Sequence, residues 1–466
     1  MTDSGSKTLG VTIAYIGGGS INWALGLMAD LAADTTLDAE VRLYDIDVAA
    51  AGENARLGAR FAEVSQGRPA RYTTAPTLEA ALTGADVVVV SILPGSFADM
   101  AEDVNIPARY GITQSVGDTV GPGGFVRALR SVPMMLEIGA AIAAFAPGAH
   151  VCNLTNPMSV LTGALFHAFP GIRAWGECHE VTKLRRQVAW LANREAGQDL
   201  WTHRDVEVNV LGINHFTFVD RIALAGRDMM PAYRAFAGEF AAPGWVAREP
   251  DPSDEWAQYY DDRSRVKFDL TRRFGIAAAA GDRHLVEFLP AAEYLARPGD
   301  WGFGLTPVEF RMKDNAAKRA RRAALLAGQG QVAAKRSDEA LVEQIAALMG
   351  GAKHVSNVNL PNRGQIANLP LGAIVESNAL FSGLGVTPLM AGALPDALAA
   401  IIAPHAQRQS ALLSALATGA HDGLFDLFRT DPLVAPLGAN EARQMFSEMI
   451  RATARHLPND LVKEVA

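Results

Sequence analysis

Val11-Thr12-Ile13-Ala14-Tyr15-Ile16-Gly17-Gly18-Gly19-Ser20 is the stretch on which the fold turns. A short β-rich apolar run ends in three glycines, and a segment of helical character follows from Ser20 to Leu31. That order reads as strand, glycine turn, helix. Residues without side chains let a backbone approach a pyrophosphate closely, at a helix N-terminus whose free N–H groups and dipole favour anions. Asn22 stands where a third fingerprint glycine is usual, and a turn that merely joins a strand to a helix has the same composition.

The next elements support a dinucleotide reading. A second strand, Val41 to Tyr44, closes on Asp45, placed to accept hydrogen bonds from a ribose diol and favouring NAD over NADP. Its distance from Gly17 exceeds the roughly 20 residues of the standard fingerprint. Strands follow at Val87 to Ile92, His150 to Leu154 and Ile172 to Trp175, with a helix at Met134 to Phe145 between Pro133 and Pro147. Alternation of this kind predicts an α/β chain: a Rossmann-like, doubly wound sheet over residues 1–200. Residues 201–466 read as a mixed, mainly helical α+β catalytic domain, the whole like a lactate or malate dehydrogenase. Its elements are a strand at Val206 to Leu211 and helices at Asn315 to Gly328, Glu339 to Met349, Asp396 to Ala403 and Asn440 to Ala454. Pro250 to Asp254 and Pro361 to Pro370 read as loops.

Composition narrows the partners. The chain has 466 residues, 49% of them hydrophobic, enough for a large core. A formal net charge of −8, with no run of Lys or Arg, argues against nucleic acid and an anionic membrane and for small molecules. No apolar run reaches the roughly 18 to 20 residues that span a bilayer, and Met1 to Leu9 lacks an apolar signal core, so a cytoplasmic location is expected. The two cysteines, Cys152 and Cys178, are too few for a disulfide framework.

Four further motifs fall at predicted strand ends or helix starts. Gly117-Asp118-Thr119-Val120-Gly121-Pro122-Gly123-Gly124 precedes the helix-like Phe125 to Leu129 and is too long for a tight turn. Asn153-Leu154-Thr155-Asn156-Pro157 follows a strand, where Asn156 could grip sugar hydroxyls, although Asn-Pro is also a plain turn former. Gly176-Glu177-Cys178-His179-Glu180-Val181 and Gly212-Ile213-Asn214-His215 each follow another. A thiolate at Cys178 and an imidazole at His215 would supply two metal ligands and leave positions for substrate oxygens, as a Lewis-acid site requires. Taken alone, a buried cysteine and a satisfied core histidine are the commoner roles.

In order and spacing these motifs resemble glycoside hydrolase family 4. The resemblance extends through Val266-Lys267-Phe268-Asp269-Leu270, Arg272-Arg273-Phe274-Gly275, His284-Leu285-Val286-Glu287-Phe288-Leu289-Pro290 and Gly364-Gln365-Ile366-Ala367-Asn368-Leu369-Pro370. It implies NAD and Mn2+, or another divalent cation, and a redox-neutral route. The sugar C3 hydroxyl is oxidised, the C2 proton removed by a base, the glycosidic bond eliminated, water added and C3 reduced again. Carried over by residue, it implies Gly17, Gly18, Gly19, Ser20 and Asp45 for the dinucleotide. Cys178 and His215 hold the metal, and Asn156, Asp118, Glu180 and Arg283 contact substrate. Asp269 is the base, with Tyr259 and Tyr260 as competitors, and His179 is a second catalytic residue.

Cys-His-Glu-Val at residues 178–181 resembles the subgroup acting on unphosphorylated α-galacturonides. Arg263, Arg265, Arg272, Arg273 and Arg283 offer cations for a uronate carboxylate. Arg283 beside His284 is the choice among them, and some of the rest are expected to pair with Asp261, Asp262 or Asp282 in solvent. Ala277-Ala278-Ala279-Ala280 is small and apolar where many relatives carry hydroxyls, which leaves α-glucosidase, α-galactosidase and α-glucuronidase as alternatives. A net sugar or hydroxy-acid dehydrogenase and a non-catalytic NAD-responsive binding protein are rivals from other classes. The resemblance implies a homodimer or homotetramer.

Overall fold

The computed structural model describes residues 8–465 except 248, 250, 252 and 306. Most of the Met1 to Leu9 segment, and Pro250 and Pro252 of the predicted loop, lie outside the described residues.

Six parallel strands form the first half of a nine-stranded sheet: β1 Leu9–Ile16, β2 Leu37–Tyr44, β3 Arg71–Thr74, β4 Val87–Val90, β5 His150–Asn153 and β6 Arg173–Glu177. Their order, β3-β2-β1-β4-β5-β6, is that of a doubly wound nucleotide fold. β4 is four consecutive valines, each wholly buried, because helices cover both faces of the sheet. Gly121–Phe145 and Met158–Ala168 pack on one face; Trp23–Ala33, Val48–Glu63 and Leu341–Leu348 pack on the other. Because the strands are parallel, the tips of β1, β2, β5 and β6, which carry the glycine turn, Asp45 and the Asn156 and Cys178 motifs, emerge at one edge.

The second half adds a small antiparallel sheet of β7 Val206–Ile213, β8 Phe216–Leu224, β9 Arg227–Asp228 and β10 Ala277–Ala278. It also adds β11 His354–Pro361, β12 Ile374–Ser382 and β13 Gly385–Pro388. β11 pairs antiparallel with β6, so these three strands continue the large sheet across the sequence position where a boundary at residue 200 is expected. The expectation of a mainly helical second half misses β8, β11 and β12. Asn357 and Asn359, buried and bonded to Glu376, interrupt the apolar pattern by which β11 would have been recognised.

Two helix boundaries also move. The first helix begins at Trp23, because Ser20 N–H is taken up by Gly17 O in the turn. Phe125 to Leu129 and Met134 to Phe145 are one helix, Gly121–Phe145, with Pro133 inside it. Burial of Val126, Leu129, Val132 and Met135, together with Arg130 sealed against Asp103 and Pro94 O, outweighs the hydrogen bond that a proline forfeits. By length and composition this helix could cross a membrane, yet half of its most apolar window is buried in the fold.

Candidate active site

The glycine turn is built from backbone. Gly17 has φ of +92°, and a Cβ there would lie 2.0 Å from Ser91 O. At Gly18 and Gly19 a Cβ would meet Leu43 and Ala50, each at 2.7 Å. Asn54, wholly buried, donates Nδ2 to Gly18 O at 2.7 Å and Ser20 O at 2.9 Å. Asp45 Oδ2 accepts Gly19 N–H at 2.8 Å, and Oδ1 accepts that of Asp47 at 2.9 Å. Each carboxylate oxygen keeps a lone pair, so Asp45 both stiffens the turn and can still accept from a diol. A turn closed to side chains fits a dinucleotide pyrophosphate.

Beyond the turn lies a cavity of about 330 Å³, lined by Asn22, Trp23, Asp30, Leu154, His179 and Glu339 among others. His179 Nδ1 stands 2.6 Å from Glu339 Oε1. Burial, the largest influence, opposes charge on this ring, but Glu339 outweighs it and the pKa is pushed up to about 9.

A second cluster assembles from distant segments. Asp118, His215 and His284 place one ligand atom each so that all three lie within 4.8 Å of one another. His215 closes the β7–β8 hairpin at φ of +67°, which aims its imidazole back over the strands. Its ring stacks on that of His284, centroids 3.7 Å apart, and its Nδ1 is 2.7 Å from Thr119 Oγ1, which in turn donates to Asp118. Burial, then the neighbouring His284, pushes His215 down to about 3, and His284 is lowered by burial too. Both rings are therefore neutral and able to ligate. Partial burial of Asp118 resists ionisation, yet the positive charge around it, Arg127 and Arg311 included, holds its carboxyl well below the ordinary range. Two neutral imidazoles and one carboxylate suit a divalent cation.

Around this group, Glu180 Oε1 lies 3.8 Å from His284 Nε2 while Oε2 accepts Gly281 N–H at 2.8 Å. Glu287, raised to about 7 by burial, accepts Val116 N–H and Gly117 N–H and so shapes the loop that carries Asp118. Arg127 Nε donates to Asn156 O at 3.2 Å, the Asn156–Pro157 peptide is cis, and Asn156 Oδ1 is buried without a hydrogen-bond partner. Arg283, 7% exposed, donates to Ser115 O at 3.3 Å and lies over the Tyr260 ring, 5.0 Å from its centroid.

Cys178, Asp269 and the Asp262–Asp282 pair stand differently toward this cluster. Cys178 is buried and lies outside the Asp118–His215–His284 group; its thiol is pushed up by burial, then by Glu376 and Glu180. Asp269 accepts the Tyr294 hydroxyl at 2.7 Å and has Arg273 at 3.9 Å. On its helix it stands about 200° around from Lys267, whose ammonium reaches Ala279 O beside the cluster. Asp262 and Asp282, expected in solvent, are 4% and 0% exposed: Asp262 pairs with Lys183, while Asp282, raised to about 7 by burial and by Asp262, accepts the Val266 and Lys267 backbone N–H groups. Asp262 Oδ2 would lie 3.3 Å from a Cβ at Gly281, where Glu180 Oε2 would lie at 3.0 Å. Sequence reasoning missed His284 as a donor, Asp262, and Arg127 and Arg311. The Arg283-His284 dipeptide was a signal for the first; the others carry no local mark.

Comparison with known proteins follows the same division. The chain matches the Family 4 glycosyl hydrolase family over residues 12–193 and the Family 4 glycosyl hydrolase C-terminal domain over 210–434. It is 44% identical to an α-galacturonidase of Bacillus subtilis (strain 168), across 95% of this chain and 97% of the relative. The crystal structure of lplD from Bacillus subtilis superposes with a TM-score of 0.90 at 44% identity, covering 95% of this chain and all of that one. A 6-phospho-α-glucosidase from gut microorganisms, solved with NAD and Mn2+, superposes at 0.79 over 97% of this chain and 99% of that one; at 19% identity the likeness is one of fold.

Proposed function

Because the chain belongs to glycosyl hydrolase family 4, we propose that it hydrolyses an unphosphorylated α-glycoside, first of all an α-galacturonide, with NAD and a divalent cation, Mn2+, as cofactors. The observation that carries this reading is the grouping of Asp118, His215 and His284 within 4.8 Å of one another. The α-galacturonidase at 44% identity supports the sugar, and the relative solved with NAD and Mn2+ supports the cofactors.

NAD supplies a hydride acceptor and donor, and the cation a Lewis acid for the oxygens being oxidised and reduced. Gly17, Gly18, Gly19 and Ser20 leave room for the pyrophosphate, and Asp45 takes the ribose hydroxyls. His215, His284 and Asp118 would hold the cation by their geometry, whereas the family resemblance implies Cys178 with His215. Asn156 Oδ1, buried with no hydrogen-bond partner among the described residues, accepts a sugar hydroxyl, with Glu180 a further substrate contact and His179 a second catalytic residue.

For the C2 proton, Asp262 has the better position than Asp269. It shares the approach to Gly281 with Glu180, and despite burial Lys183 and Lys267 keep it ionised, as a proton acceptor must be. Asp262→Asn is expected to stop exchange of the C2 hydrogen with solvent, whereas Asp269→Asn leaves it; the reverse result returns the role to Asp269. The proposal brings with it a cytoplasmic enzyme and a dimer or tetramer, the latter open to sedimentation analysis.

The test is hydrolysis of an aryl α-galacturonide before and after removal of NAD and of the metal. Loss of activity on either removal, with recovery on adding NAD and Mn2+ back, supports the reading. Full activity in chelator without NAD contradicts it, and stoichiometric NADH release would point to a net dehydrogenase.

A further inference from the structure

The arginines of the second half divide into two kinds. Arg263 pairs with Glu249 and Arg273 with Glu293 at the surface. Arg283 and Arg311 instead face the same phenol ring: their guanidinium carbons lie 5.0 and 5.9 Å from the centroid of Tyr260. Arg283 is the chain neighbour of His284, so this pair borders the Asp118–His215–His284 group. Arg311 Nε is buried and has no hydrogen-bond partner among the described residues.

Arg311 lies in the first turn of helix Val308–Leu326. Eleven residues on, three turns along the same face and about 16 Å away by helix geometry, Arg322 donates to Gly19 O and pairs with Glu53. One helix thus touches the glycine turn with one arginine and, with another, the Tyr260 ring that Arg283 also faces.

Charge at the cluster is unbalanced. Lys183 takes up Asp262, which leaves the carboxylates of Asp118 and Glu180 among the guanidinium groups of Arg127, Arg283 and Arg311, and a divalent cation would add to the positive side. Arg127 is engaged with Asn156 O. A half-buried guanidinium whose buried Nε–H is unused among the described residues calls for an anionic oxygen.

We propose that Arg311, together with Arg283 over the Tyr260 ring, is the clamp for the C5 carboxylate of a uronide, and so sets discrimination against neutral hexosides. The clamp rests on the α-galacturonide reading but goes beyond it in naming the residue that makes the choice.

The test is the ratio of kcat/KM for an aryl α-galacturonide to that for the matching α-galactoside. Arg311→Gln should lower that ratio about thirtyfold, the scale of a lost charge-assisted hydrogen bond, with Arg311→Lys intermediate and NAD affinity unchanged. A parallel fall on both substrates, leaving the ratio as in the wild type, overturns the clamp. Should Arg311→Gln not fold, the wild type decides: free galacturonic acid must inhibit about tenfold or more better than its methyl ester, and equal inhibition overturns the clamp. A wild type that cleaves no galacturonide but shows that preference refutes the proposed activity alone.

Discussion

The glycine turn and the charged cluster solve two binding problems by opposite means. The turn is backbone, drawn from Gly17 to Asn54, and its selectivity is the absence of side chains. The cluster is side chain throughout, gathered from Asp118, Glu180, His215, His284 and Arg311, which the chain holds far apart. A site made of backbone is damaged by adding an atom; one made of side chains is damaged by removing one.

Substitutions can break or sharpen that contrast. The largest effect is expected at His215→Ala, which removes a donor from the cation group. Turnover should fall on the order of a thousandfold, the scale of several kcal/mol of Lewis-acid assistance. Mn2+ affinity should fall with it, while NAD titration by fluorescence is unaltered. A parallel loss of NAD binding would mean that the two regions are one cooperative unit.

Next is the inverse change, Gly17→Ala. The added Cβ meets Ser91 O at 2.0 Å at a backbone angle of +92°, and about 3 kcal/mol of stability should be lost. NAD affinity should drop with little effect on Mn2+ binding by the folded fraction. Chemical denaturation and the two titrations read this directly.

The smallest effect concerns Asp30, where the first helix meets Ser337. Burial, only partly offset by the Ser337 hydrogen bonds, raises this carboxyl from 3.8 to about 6. A folded-state pKa above the unfolded value means that ionisation disfavours the fold. The penalty is absent below about pH 4, grows as pH rises and is complete above about pH 6. Asp30→Asn should therefore gain up to about 2 kcal/mol relative to the wild type at pH 7 compared with pH 4. A difference in melting temperature that does not vary with pH would contradict it.

Much of the first region was legible because its information is local. A strand, three glycines and an acid on the next strand are contiguous signals, and five of the six parallel strands fall close to their expected places, while the short, polar β3 Arg71–Thr74 has no apolar run to announce it. The second region was legible only through the order of several motifs. His215 could be named because it ends a strand. His284 is marked only by its neighbour Arg283, since a histidine in a short helical turn has no periodic pattern to single it out as a donor. Asp262 and Asp282 look like surface partners of arginine because sequence does not show that Lys267 is buried beside them and that Lys183 reaches in to Asp262. β11 was hidden by inward-facing asparagines that only Glu376, on the neighbouring strand, makes tolerable.

The central claim is that the dinucleotide turn and the cation group act on one sugar ring. It is tested most directly by hydrolysing an aryl α-galacturonide in deuterated water with NAD and Mn2+ present. The account predicts galacturonic acid carrying deuterium at C2, since a base must remove that proton before the glycosidic bond breaks. Full turnover that gives a product with its original hydrogen at C2 would contradict it.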